Sequence, residues 1–265
     1  MQPTRHLSRP AGPVLFARYA YPPNQLGFCG PEDHGALLDY GAAQVSDQGL
    51  VQLARAFTGP WPYLQLIAGA AGVDDPFDRR VVEAYWIGNG LLDQVSTTEF
   101  GKAVWERFRR VAGRRWDHLA EAIPAGAVAH HSFHVFGVYP WVGLLESGRS
   151  DHPLHQLDRC RIRWGQVVTS LGDQVLVRSP LLQWDGSQLS LGEPELETVT
   201  RAVDGLGFVE QLQPGNWVSM HWNWVCDRLD HRQLTNLRRY TTRQLEITNR
   251  RVGHSGPGMV MAGGR

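Results

Sequence analysis

Cysteine and histidine dominate the residues of this chain that could do chemistry. Its three cysteines, Cys29, Cys160 and Cys226, lie far apart, with no CxxC pair. Histidines crowd into Ala129-His130-His131-Ser132-Phe133-His134. If that stretch is helical, His130 and His134 fall at i and i+4 on one face and can ligate one metal. It lacks the glutamate of HExxH, and the flanking Val128, Phe133, Val135 and Phe136 suggest a buried element instead. Cys29 and His34 stand five residues apart before a helical segment, another candidate metal pair, although Glu32 and Asp33 between them suit helix capping. Cys160 and His221 lie in segments of alternating pattern. Val218, Met220, Trp222 and Trp224 share one face of a strand read as Trp217 to Val225. His221 faces the other way with Trp217 and Ser219, and Cys226 falls on the core side as a packed apolar thiol. No GxGxxG, GxxxxGK or GxSxG occurs, which disfavours dinucleotide, P-loop and serine-hydrolase chemistry of those types.

The elements that must position these residues change character along the chain. The first half reads helical: Ala36-Leu37-Leu38, Leu50 to Phe57 and Val81 to Trp86 carry apolar residues at helical spacing. Phe100, Val104, Trp105 and Phe108 recur on one face. Gly59-Pro60-Trp61-Pro62 and Asp74-Asp75-Pro76 are breakers, with Asp74 or Asp75 placed to cap the next helix. The polar run Glu146 to Pro153 marks a boundary. Beyond it Cys160, Ile162 and Trp164 share one face of a strand, with Arg161 and Arg163 on the other. Turns at Gly172-Asp173, Trp184-Asp185-Gly186 and Pro214-Gly215-Asn216 separate short strands. Asp230 and Gln233 form a capping box ahead of a helix whose face carries Leu234, Leu237, Thr241 and Leu245. The expected architecture is α+β: an all-helical domain over 1–150, a small β-barrel with a C-terminal helix over 158–249, and a disordered tail over 250–265.

The order of motifs in the last third resembles the HypC/HupF hydrogenase-maturation chaperones. That family shows a cysteine followed five residues later by glycine and seven later by valine, here Cys160, Gly165 and Val167. It then shows a glycine-led strand ending in histidine, here Gly215-Asn216-Trp217-Val218-Ser219-Met220-His221, and an acidic helix start, here near Asp227 to Asp230. The resemblance implies an OB-like barrel and a carrier rather than an enzyme. Cys160 and His221 would hold an iron centre bearing cyanide and carbonyl ligands, for which a soft thiolate is a fitting donor. The implied partners are a HypD-like scaffold protein and the precursor of a nickel–iron hydrogenase large subunit. In the family the cysteine follows the initiator methionine, whereas Cys160 is internal, and Trp164 replaces the usual proline. Two other readings stand beside it: a metal-free protein-interaction module of hydrogenase assembly, and a metalloenzyme built on His130, His131 and His134.

Composition fits a folded protein of the reducing cytoplasm. Hydrophobic residues make up 42%, and the ten tryptophans bring large buried areas. The formal net charge of zero gives no overall pull toward nucleic acid or anionic membrane. No run is long and apolar enough to span a bilayer, and the basic start before Val14-Leu15-Phe16-Ala17 does not read as a signal peptide.

Overall fold

The computed structural model describes residues 9–112, 122–148 and 151–254. The described residues up to 148 are helical or loop, and the strands all follow, as the α+β expectation required. The helices are α1 (Gly12–Gln25), α2 (His34–Ala43), α3 (Gln48–Arg55), α4 (Trp61–Ala70), α5 (Arg79–Trp86) and α6 (Thr97–Ala112). A short turn at His131–Phe133 runs into a π-turn at His134–Val138, followed by α7 (Trp141–Glu146) and α8 (Asp151–Cys160). The strands are β1 (Arg163–Leu171), β2 (Gln174–Trp184), β3 (Leu189–Thr200), β4 (Ala202–Val203), β5 (Leu206–Gly207), β6 (Trp217–His221) and β7 (Trp224–Leu229), and α9 (His231–His254) ends the fold.

Five of the strands close in the order β1-β2-β3-β7-β6, antiparallel except at the seam, where the single parallel pair Thr200 and Trp224 joins β3 to β7. The three turn signals read from the sequence fall where expected, between β1 and β2, between β2 and β3, and before β6. Val167, Val175, Val177, Val199, Val218, Met220 and Val225 fill the interior of the closed sheet. Gly165 belongs there too: a Cβ on it would sit 3.1 Å from both Met220 and Val177.

Several local expectations are corrected. Cys160 ends helix α8, and the first strand starts only at Arg163. Arg161 and Arg163, read as an outward strand face, are 1% and 0% exposed, because α8 and the Trp222 turn pack over them. The segment Trp217 to Val225 is not one strand. It folds back at Trp222, whose φ of 54° places a bulky residue in the left-handed region. The reversal breaks the alternation: Trp224 and Cys226 pack with the helices, whereas Val225 enters the closed sheet. Asp78, not Asp74 or Asp75, caps α5, while Asp75 accepts from the Phe77 amide. In α6 Phe100 and Val104 are buried but Trp105 is exposed, and the side chain of Phe108 lies outside the described set. Helix α9 continues through residues 250–254 of the expected tail, and residues 255–265 lie outside the described set.

One core joins the two segments. Residues of α1, α4 and α5 cluster with Ile162, with Trp164, Trp224, Cys226 and Leu229 of the strands and with Leu234, Leu237 and Tyr240 of α9. Arg18 of α1, buried at 4% exposure, donates to Asp227 of β7 at 3.1 Å, and the Tyr19 hydroxyl pairs with Ser219 Oγ at 2.7 Å. The capping box is present, with Asp230 accepting from the Gln233 amide and Gln233 accepting from that of Asp230. The expected α9 face, Leu234, Leu237, Thr241 and Leu245, is buried.

Candidate metal centre

The outer face of β6 lies against the helices, so His221, at its end, points into the junction between them. It is 1% exposed. Cys160 reaches the same place from the last residue of α8, and His131 from the first residue of the short turn His131–Phe133. One ligand atom from each of His131, Cys160 and His221 lies within 4.8 Å of the others. These three line a cavity of about 110 Å³, well above the roughly 10–15 Å³ that admits one water. Aromatic and apolar groups form most of its remaining wall, among them Phe57, Pro60, Trp86 and Trp141.

Hydrogen bonds set the tautomer of each imidazole. His221 Nδ1 donates to the Tyr19 carbonyl at 2.6 Å, so Nε2 keeps its lone pair, with the Cys160 carbonyl nearby. That buried atom has no hydrogen-bond partner among the described residues. A histidine held by a backbone carbonyl on one nitrogen and open on the other has the arrangement found in metal-ligating imidazoles. His131 Nε2 donates to the Cys160 carbonyl at 2.9 Å, so its Nδ1 accepts, and the Tyr85 hydroxyl at 3.2 Å supplies the proton. The same bond ties His131 to the residue that carries the thiol.

Burial favours the neutral form of all three. It lowers His131 to about 4, and lowers His221 well below the ordinary imidazole value, with His131 adding to the effect. Both rings are therefore neutral near pH 7 and able to ligate. Burial pushes the Cys160 thiol up, so a metal must displace its proton. Two nitrogens and a sulfur suit a borderline or soft transition metal such as iron(II) or zinc and suit calcium or magnesium poorly.

A network of buried charges fixes the thiol and the His221 turn. Arg161 donates to Asp158 at 2.8 Å and to the Pro180 carbonyl at 2.7 Å, and Asp158 also accepts from the Leu182 amide at 2.9 Å. Arg163 pairs with Glu197 and donates to the Trp222 carbonyl at 2.8 Å. The Trp222 amide donates to the Arg159 carbonyl at 2.7 Å. The end of α8 and the turn after β6 are thus clamped to one another, which holds Cys160 beside His221.

The sequence-level pair of Cys160 and His221 is brought together, but inside the molecule. Cys160, expected on one face of a strand, instead ends a helix, is 8% exposed and lines the cavity. His131 joins the pair, although spacing singled out His130 and His134. The chain is extended at His130, which caps the turn, pairs with Ser132 and stacks on Tyr240. His134 lines the cavity with its Nδ1 3.3 Å from the Tyr63 hydroxyl, outside the three-residue cluster. His34 is exposed at the start of α2, where Asp33 caps as expected, and so does not join Cys29 in the cavity. Cys226 is fully buried, with its thiol 3.6 Å from the Trp224 carbonyl. No spacing rule distinguishes His131 from its neighbours, because its approach to Cys160 depends on a contact 29 residues along the chain.

The profile of a family of unknown function (DUF6390) matches residues 8–255. The chain belongs to this family. The DUF6390 match covers the helical segment, the closed sheet and α9, and hence every residue of the cluster. No curated protein and no solved structure matches the chain. Among the described residues no helix is long and apolar enough to cross a membrane.

Proposed function

We propose that this protein is a metal carrier of nickel–iron hydrogenase maturation, in which Cys160, His221 and His131 hold an iron atom bearing cyanide and carbonyl ligands. The observation that carries the reading is the convergence of the three donors within 4.8 Å, with His221 Nε2 lacking a hydrogen-bond partner among the described residues, on a largely apolar cavity. Cyanide and carbonyl are small ligands that favour low-spin iron, and a thiolate with neutral imidazoles is a compatible donor set. The motif order around Cys160 and His221 supports the maturation role, with a HypD-like scaffold and a hydrogenase large-subunit precursor as partners. Because the three donor residues are buried, loading and delivery would be helped by a partner that loosens the junction between helices and sheet.

Full-length protein purified without oxygen is expected to carry iron and infrared bands of cyanide and carbonyl, both lost in Cys160→Ala. Retention of both in that variant would rule out Cys160 as the anchor. Burial of the centre favours a second reading, a resident metal ion that stays with the protein. Incubation of iron-loaded protein with a large-subunit precursor separates them: a carrier loses its iron to the precursor, and a resident ion remains.

A further inference from the structure

Cys29 lines the same cavity as His131, Cys160 and His221, although it lies in the loop after α1, more than a hundred residues from any of them. The loop is built to hold it there. Asn24, 2% exposed, donates from Nδ2 to the carbonyls of Cys29 and Pro31 at 2.7 and 2.6 Å. The Phe28 amide donates to the Pro23 carbonyl, and the Phe28 ring stacks on Trp222 at 4.4 Å, directly after His221 in the chain. Gly30 sits at a φ of +88°, and a Cβ there would lie 2.4 Å from the Phe57 ring, so only glycine lets the loop close this tightly. Three anchors therefore hold half-buried Cys29 at the wall of the cavity, outside the 4.8 Å cluster of the other three donors. There the buried Nε2 of His221 has no hydrogen-bond partner among the described residues. A cation that binds both Cys29 and Cys160 takes them as thiolates, and their two protons pass to solvent.

We infer that Cys29 is a second thiolate donor to the centre of His131, Cys160 and His221, so that a bound metal is enclosed by two sulfurs and two imidazoles. The inference rests on reading that cluster as a metal site. Four such donors complete the tetrahedral shell of zinc or cobalt(II), and they leave positions for small ligands on six-coordinate iron.

Cobalt(II) added without oxygen to the full-length metal-free protein is the test, because absorption from thiolate-to-cobalt charge transfer scales with the number of bound sulfurs. Cys29→Ser and Cys160→Ala are each expected to lower this absorption per cobalt about twofold, with the remaining thiolate still reporting. Zinc should also shield Cys29 as well as Cys160 of the unaltered protein from iodoacetamide, read by mass spectrometry, which needs no variant. If Cys29→Ser leaves the absorption unchanged while Cys160→Ala abolishes it, or if Cys29 alkylates equally fast with and without zinc, Cys29 is not a ligand and the three-donor site stands alone. If the unaltered protein gives no charge-transfer band at all, both the metal site and this inference are overturned.

Discussion

His131 and His221 sit in one site but differ in readiness. His221 Nε2 has no partner to give up, whereas His131 Nδ1 must release the Tyr85 hydroxyl before it can bind a cation. A single neutral hydrogen bond contributes about 1 kcal/mol net. Tyr85→Phe is therefore expected to raise the affinity of the metal-free protein for cobalt(II) several-fold, up to about tenfold, and to lower its stability by about 1 kcal/mol. Competition against a chelator of known affinity measures the first effect, and urea unfolding the second. A loss of affinity on removing the hydroxyl would mean that Tyr85 orients His131 and does not compete with the metal. At this scale the sequence singled out Cys160 and His221 through the order of short motifs, and the fold brings the two together. For His130 and His134 the apolar neighbours correctly suggested a buried element, whereas the i, i+4 pairing needs a continuous helix and the backbone is extended at His130.

Among the elements, the end of α8 and the turn after β6 decide whether the thiol and imidazole meet. Arg163, wholly buried, joins them through Glu197 and the Trp222 carbonyl. Removing one member of a buried pair strands the other charge. Arg163→Met is accordingly expected to destabilise the protein by about 3–5 kcal/mol. The double variant Arg163→Met with Glu197→Leu should recover much of that loss in urea unfolding, yet should not recover metal affinity, because the Trp222 turn has lost its clamp. Recovery of both would show that the network serves packing alone. The periodicity of the sequence gave α2, α3, α5, the hairpin of β1 and β2 and the capping box of α9, but it ran β6 and β7 together. It could not show that both faces of β6 are covered, since alternation separates two faces without saying what lies on the second. Nor could it foresee the left-handed Trp222, where glycine or asparagine would have been the expected residue.

For the whole molecule, the burial of four histidines links stability to pH. Burial lowers His130 and His134 to about 3 and His131 to about 4, and holds His221 low as well. In the unfolded chain each takes up a proton near pH 6.5. Below that value the unfolded state binds protons that the folded state excludes, so stability is full above about pH 6.5 and falls with decreasing pH toward the folded values. The loss is about 1 kcal/mol per histidine per pH unit. Metal-free protein should thus show a markedly lower urea midpoint at about pH 5.5 than at about pH 7.5. Bound zinc should steepen the contrast, since acid also displaces the metal. A midpoint that does not change across this range would mean that the rings are hydrated in solution.

By itself the sequence determined the α+β order, the positions of the turns, and two of the residues at the centre of the molecule. These follow from periods of two to four residues and from motifs of fewer than ten, and such signals are local. Only the tertiary structure decided that helices and sheet share one core, that the thiol lies at a helix end inside the protein, and that His131 and Cys29 reach the same cavity. Those facts depend on contacts between distant segments, on α1 covering the outer face of β6, and no short window of residues encodes them.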